Sequence, residues 1–244
     1  MSNPAVVKMS RDFVCARLAT FESPSEADFI YGLYPTRSGA QVNTVFTILA
    51  PDGKTTLLSP GRSPSHTLRS DDPETLATEM RKIAARYKAK RAGNTPGLPY
   101  GIDLRRALNI ASCDLQPLIV VVAASASKRK AIERVLTPLA WSDEFIGAYA
   151  YATAKPDELA ALADAKEAEG VLVVYADPYG LSGKVVASAA GTNGASLTTT
   201  LRAGLAKFRP KARDSIRHIR EARRRGIEWE VEVKDRPARG GRNR

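Results

Sequence analysis

Residues 170–191 read GVLVVYADPYGLSGKVVASAAG, the pattern of two strands joined by a tight turn. Residues 171–175 (VLVVY) are an unbroken apolar run, the pattern of a strand covered on both faces. Asp177-Pro178-Tyr179-Gly180 and Ser182-Gly183 are turn chemistry: proline presets φ, and glycine accepts positive φ without a Cβ clash. Residues 184–189 return as a second, β-branched strand, and a helix is expected over 196–208. The stretch predicts a β-hairpin feeding a helix within an α/β domain.

Upstream of the hairpin, residues 118–122 (LIVVV) predict a second buried strand and residues 148–153 a third. Ile132, Val135, Leu136 and Leu139 give helical spacing over 127–139, which Pro138 is expected to kink or end. Residues 157–168 predict an alanine-rich helix begun by Pro156, and residues 104–111 a short helix before a loop holding Cys113. In the first half, residues 11–20 predict a strand with Phe13 and Cys15 inward, and residues 25–34 a helix. Residues 36–43 are a polar loop. Residues 44–49 (TVFTIL) and 55–59 form a strand pair around the turn Pro51-Asp52-Gly53-Lys54. Asp71-Asp72-Pro73-Glu74 opens a helix whose buried stripe is Leu76, Met80, Ile83 and Tyr87. Residues 92–101 (AGNTPGLPYG) are the best domain boundary.

The second half thus runs β-α-β-α-β-β-α, and the first β-α-β-β-α, the same order without its initial strand and helix. TVFTILAPDGKTTLLSPG and GVLVVYADPYGLSGKVVASAAG make the repeat visible: strand, proline-containing turn, returning strand. This order resembles the thioredoxin fold, fully over 115–208 and in shortened form over 11–87. Residues 13–21 (FVCARLATF), 43–54 (NTVFTILAPDGK) and 61–66 (GRSPSH) are similar to bacterial thioredoxin-family proteins of uncharacterised function. The resemblance implies two tandem thioredoxin-like units, each a mixed sheet flanked by helices, the first N-terminally shortened. The expected organisation is 1–91, a linker over 92–103, a complete unit over 104–211, and a basic helix, short strand and disordered tail over 212–244.

Active members of that family carry Cys-x-x-Cys between the first strand and first helix. There the helix amino end lowers the first thiol's pKa, and the second thiol resolves the mixed disulfide. The matching residues 123–128 (AASASK) hold no cysteine. The family's proline before the third strand is also missing, near Val42-Asn43 and near Glu169-Gly170. The departures imply a non-catalytic protein-interaction or structural module, with a protein partner and a homo-oligomer as candidates. The first alternative is a redox enzyme using a single cysteine, Cys113 or Cys15.

Charge carries the second alternative. The 244 residues have a formal charge of +11, and from Lys207 onward 14 basic residues face 6 acidic ones. Arg217, Arg220 and Arg224 share one face of a basic helix over 212–225, and residues 227–233 alternate as a strand. These arginines are candidates for nucleic acid or another polyanion. Arg81, Lys82, Arg86, Lys88, Lys90 and Arg91 form a second basic cluster. Arg62 and His66, and Ser125 and Ser127 ahead of Lys128, are candidate anion sites at helix starts, where free amides point outward. Plain N-capping is the competing role for the serines. No metal site is expected, since His66 and His218 lack partners at ligand spacing. No cofactor is expected either, in the absence of a P-loop or a Gly-x-Gly-x-x-Gly after a strand. With two distant cysteines, no apolar run near the roughly 20 residues of a membrane helix and no apolar leader, the expected location is the cytoplasm.

Overall fold

A computed structural model describes residues 3–35, 42, 44–87, 97–100, 103–165, 169–211, 213–228, 231 and 233. Two compact units divide the chain: Met1–Ala92 with Trp229–Arg244, and Gly93–Glu228.

The first unit holds four short helices: α1 (Pro4–Ser10), α2 (Pro24–Leu33), α3 (Pro64–Leu68) and α4 (Pro73–Ala84). Each begins on a proline behind a capping side chain: Asn3, Ser23, Ser63 and Asp72. The missing proline N–H falls where no intrahelical partner exists, and the cap oxygen takes a free N–H. Val6, Met9, Ile48, Leu68, Ala77, Met80 and Ile83 form the core.

Several expectations need correction here. Residues 11–20 are not a strand. Val14 is 96 % exposed and Cys15 is exposed, and among the described residues no strand pairs with this segment. Residues 44–61 make only isolated bridges, Phe46 to Gly61 and Leu49 to Thr56, although the turn between them forms as expected. In that turn Asp52 accepts from the Lys54 and Thr55 amides and from the Thr55 hydroxyl. The stripe of α4 is Ala77, Met80 and Ile83, with Leu76 partly buried and Tyr87 exposed past the helix end. Helix α1 adds to the expected elements, and Asn3-Pro4 is its start signal.

The second unit is an α/β sandwich. Helix α5 (Leu104–Asp114) leads into β1 (Leu118–Val122), α6 (Ala126–Ala140) and β2 (Ala150–Ala154). A 3-10 turn (Pro156–Ala161) and the two-residue β3 (Leu162–Ala163) follow. Then come β4 (Gly170–Ala176), β5 (Gly183–Ala189), α7 (Gly194–Ala206) and α8 (Ser215–Arg224). The sheet order is β2-β1-β4-β5-β3. β1 is parallel to β2 and antiparallel to β4, β4 is antiparallel to β5, and β3 lies parallel to β5.

Strand periodicity divides the sheet's side chains between two cores. Ile119, Val121, Val171 and Val173 meet Ile132 and Leu136 of α6 and Leu197 and Leu201 of α7. Leu118, Val120, Val122, Leu172 and Val174 meet Leu104, Ala107 and Leu108 of α5 on the other face. Both faces are covered, so β1 and β4 read as continuous apolar runs rather than alternating ones. On the outer side of β2, Tyr100 bridges to Tyr151.

The hairpin and its closing helix stand where the sequence puts them. Over its described part, residues 157–165, the expected alanine-rich helix does not form: its large apolar side chains are Leu159 and Leu162, and Leu162 leaves the 3-10 turn to join the edge of β5. Residues 166–168 lie outside the described residues. Pro138 lies within α6, two residues before its last residue, Ala140, so the helix ends within a turn of it, as expected. Cys113 belongs to the last turn of α5 rather than to a loop. Residues 212, 229, 230, 232 and 234–244 lie outside the described residues, as do Lys88, Lys90, Arg91 and residues 36–41 and 43. The strand expected over 227–233 is therefore described only at 227, 228, 231 and 233, which are not in strand conformation.

Candidate functional site

Strand β1 ends at Val122, and residues 123–125 turn into α6. Ser125 caps the helix by accepting from the Lys128 amide at 3.3 Å, and its hydroxyl lies 3.0 Å from that of Ser127. Glu169, directly before β4, reaches across to this turn. One carboxylate oxygen accepts from the Ala124 amide at 3.1 Å, and the other from the Lys128 ammonium at 2.6 Å. The Lys128 contact, with the Ala124 amide second, holds the Glu169 carboxyl below the usual carboxylate range. Beside the turn is an open cleft of about 530 Å³ bounded by Asp103, Ser125, Arg129, Thr153, Lys155 and Glu158. It lies at the carboxyl ends of the parallel pair β1 and β2, where open α/β sheets characteristically receive ligands.

Ser125 and Ser127 are thus brought together, but the amide beside them already holds a carboxylate of the same chain. Ser63 and Ser65 repeat the arrangement at α3. Ser63 accepts from the His66 amide at 3.1 Å, and the two hydroxyls are 3.0 Å apart. Ser23 and Ser25 do so again at α2, at 3.1 Å. In all three Ser-x-Ser motifs the first serine is the cap and the second lies against its hydroxyl. Arg62 and His66 flank the second of them and are both exposed.

A second, larger cleft of about 880 Å³ opens at the far end of β4, between the β4–β5 turn and the segment joining α7 to α8. Asp177 organises the turn by accepting from the Tyr179 amide at 2.7 Å and the Leu181 amide at 2.8 Å. Tyr179 then presents its ring to α8. The His218 imidazole stacks on it at 4.5 Å with planes 12° apart, and the Arg225 guanidinium lies 5.5 Å from its centre. Arg213 donates to Ser112 at 3.1 Å and to the Pro178 carbonyl. Helix α8 is therefore fastened by one face, His218, Glu221 and Ala222 being its half-buried residues. Arg217, Arg220 and Arg224 lie together on the opposite side, all exposed, as their spacing requires.

The two thiols are free and exposed. Cys15 is in the first unit. Cys113 sits at the carboxyl end of α5, 3.9 Å from the Asn109 side-chain oxygen, at the β1 amino end. Five strand residues at about 3.3 Å each separate that end from the Ser125 turn. Among the described residues no three His, Cys, Asp or Glu side chains are grouped to hold a metal ion, and no helix is long and apolar enough to cross a membrane. Glu169, Tyr179 and Arg213 escaped the sequence reading. Glu169 is one acid beside a glycine, Tyr179 reads as turn chemistry, and Arg213 is one basic residue among many. Comparison with protein-family models, with curated proteins and with solved structures finds no match.

Proposed function

We propose that the second unit is a thioredoxin-like domain without thiol chemistry, and that the protein works as a protein-interaction module. In support, β1-α6-β2 is a parallel crossover, β4-β5 an antiparallel hairpin beside it, and α7 the closing helix, in the order the resemblance implies. The 3-10 turn and β3 replace the intervening helix, and α5 covers that face. For the first unit, the partial ladder from Phe46 to Gly61 followed by α3 and α4 is the support for a shortened relative.

One observation carries the functional part. The turn where the family keeps its thiol pair and the position where it keeps its proline lie against each other, joined by the Glu169–Lys128 pair. A carboxylate and an ammonium stand where a nucleophile would be needed, and Cys113 is at the other end of the sheet. The test is insulin-disulfide reduction by the purified full chain with dithiothreitol as reductant. No turnover above the dithiothreitol background is expected. Turnover that disappears in Cys113→Ser would overturn the reading in favour of a single-thiol enzyme.

A further inference from the structure

We infer that α8 and the segment leading into it form a docking surface for single-stranded nucleic acid, gripped through its phosphates without regard to base sequence. Between Lys207 and Arg225 nine lysines and arginines stand against two carboxylates, Asp214 and Glu221. Both acids are engaged within the helix: Asp214 caps α8 by accepting from the Arg217 amide at 2.7 Å, and Glu221 pairs with Arg225. Among the described residues, none of Arg217, Arg220 and Arg224 has a carboxylate partner. All five cations of α8 and its cap are arginines, whose planar fork matches phosphate oxygens two at a time.

The helix is held ready for such contact. Its inner face is pinned by the Tyr179–His218 stack, and Arg213 ties the approach to the turn, so the outer arginines keep a fixed spacing. They rise over seven residues, about 10 Å at 1.5 Å per residue. Lys207, Arg209 and Lys211 continue the positive track along the cleft, beside the partly exposed rings of Tyr175 and Phe208. A cationic groove with accessible aromatic surface fits a single strand. Ile216 and Ile219 are more than half exposed on the outer side. Two isoleucines are too narrow an apolar face for burial in a bilayer surface, which needs a broad one.

The experiment measures fluorescence anisotropy of a labelled 20-nucleotide single-stranded DNA of mixed sequence, titrated with the full chain over a range of salt. Binding should weaken as salt rises, and scrambling the sequence should leave it unchanged. Arg217→Gln/Arg220→Gln/Arg224→Gln should lower affinity at least tenfold and reduce the salt slope by about 2, because each neutralised phosphate of a single strand contributes about 0.7 to that slope. All three side chains are exposed, and an unchanged circular dichroism spectrum confirms that the variant is folded. Arg81→Gln/Lys82→Gln/Arg86→Gln removes equal charge from α4 and its end and should cost much less. Equal losses from both triple variants would overturn the proposal, as would tighter binding of the same sequence as a duplex. Binding confined to phosphatidylserine vesicles would overturn it too. None of these outcomes depends on the thiol chemistry tested above.

Discussion

Asp52 shows how far a single side chain can shape its surroundings. Its carboxylate accepts from the Thr55 hydroxyl at 2.6 Å, from the Thr55 amide at 2.9 Å and from the Lys54 amide at 2.8 Å. The Thr55 hydroxyl contributes most, and together these donors lower the carboxyl pKa from 3.8 to about 2. The folded pKa lies below the unfolded one, so the bonds stabilise the fold fully above about pH 4. That contribution fades as pH falls through about 2. A two-dimensional NMR titration should place the Asp52 midpoint near 2 in the native protein, and Thr55→Val should move it back toward 3.8. Glu169 behaves with the same sign, its Lys128 contact weakening once the carboxyl protonates. Asp52 was legible in the sequence because Pro-Asp-Gly-Lys is a local signal. Glu169 was not, because its partners Ala124 and Lys128 lie more than forty residues earlier and only the sheet brings them together.

At the scale of the elements, the continuous apolar strands and the helices with strong stripes were readable, and weaker segments were not. Residues 118–122 and 171–175 need no neighbour to be recognised, since coverage on both faces is written into every position. Residues 11–20 alternate as an edge strand would, but alternation alone does not supply a partner ladder, and the segment stays exposed. Residues 157–168 have high helix propensity and little to bury, so the edge of β5 takes Leu162. The contact of α7 on β4 is tighter still. A Cβ placed on Gly204 would lie 2.5 Å from Val173 Cγ1 and 3.2 Å from the Tyr149 hydroxyl. Alanine gains about 1 kcal/mol of helix propensity over glycine, but overpacking a closed core costs about 1–3 kcal/mol. Val173 is β-branched and fully buried, so it has little room to yield. Gly204→Ala should therefore lower stability by about 1–2 kcal/mol, read from the midpoint of urea unfolding.

For the molecule as a whole, the boundary glycines and prolines near residue 95 mark the change from one unit to the next. The second unit has a five-stranded sheet with a hydrophobic cluster on each face, and among the described residues these clusters draw on residues 98 to 205. A fragment spanning 93–228 should fold without the rest of the chain, giving one cooperative thermal transition by circular dichroism. Non-cooperative melting of that fragment would mean that its cores need the remainder of the chain.

The bridge from Tyr100 to Tyr151 gives this fragment a minimum length. A five-residue strand at the margin of a sheet presents bare amides and carbonyls that any passing strand can zip onto. Opposite it, β3 is only two residues long and offers almost no template. Tyr100 is further anchored by its hydroxyl, which donates to Glu133 of α6 at 3.0 Å, so the closure of that margin is tied to a helix rather than left to a passing loop. A proteolytic nick just after Tyr100 would free Leu98 from its core and Tyr100 from the sheet margin together. Tyr100 thus occupies one position of a margin on which another strand could otherwise pair.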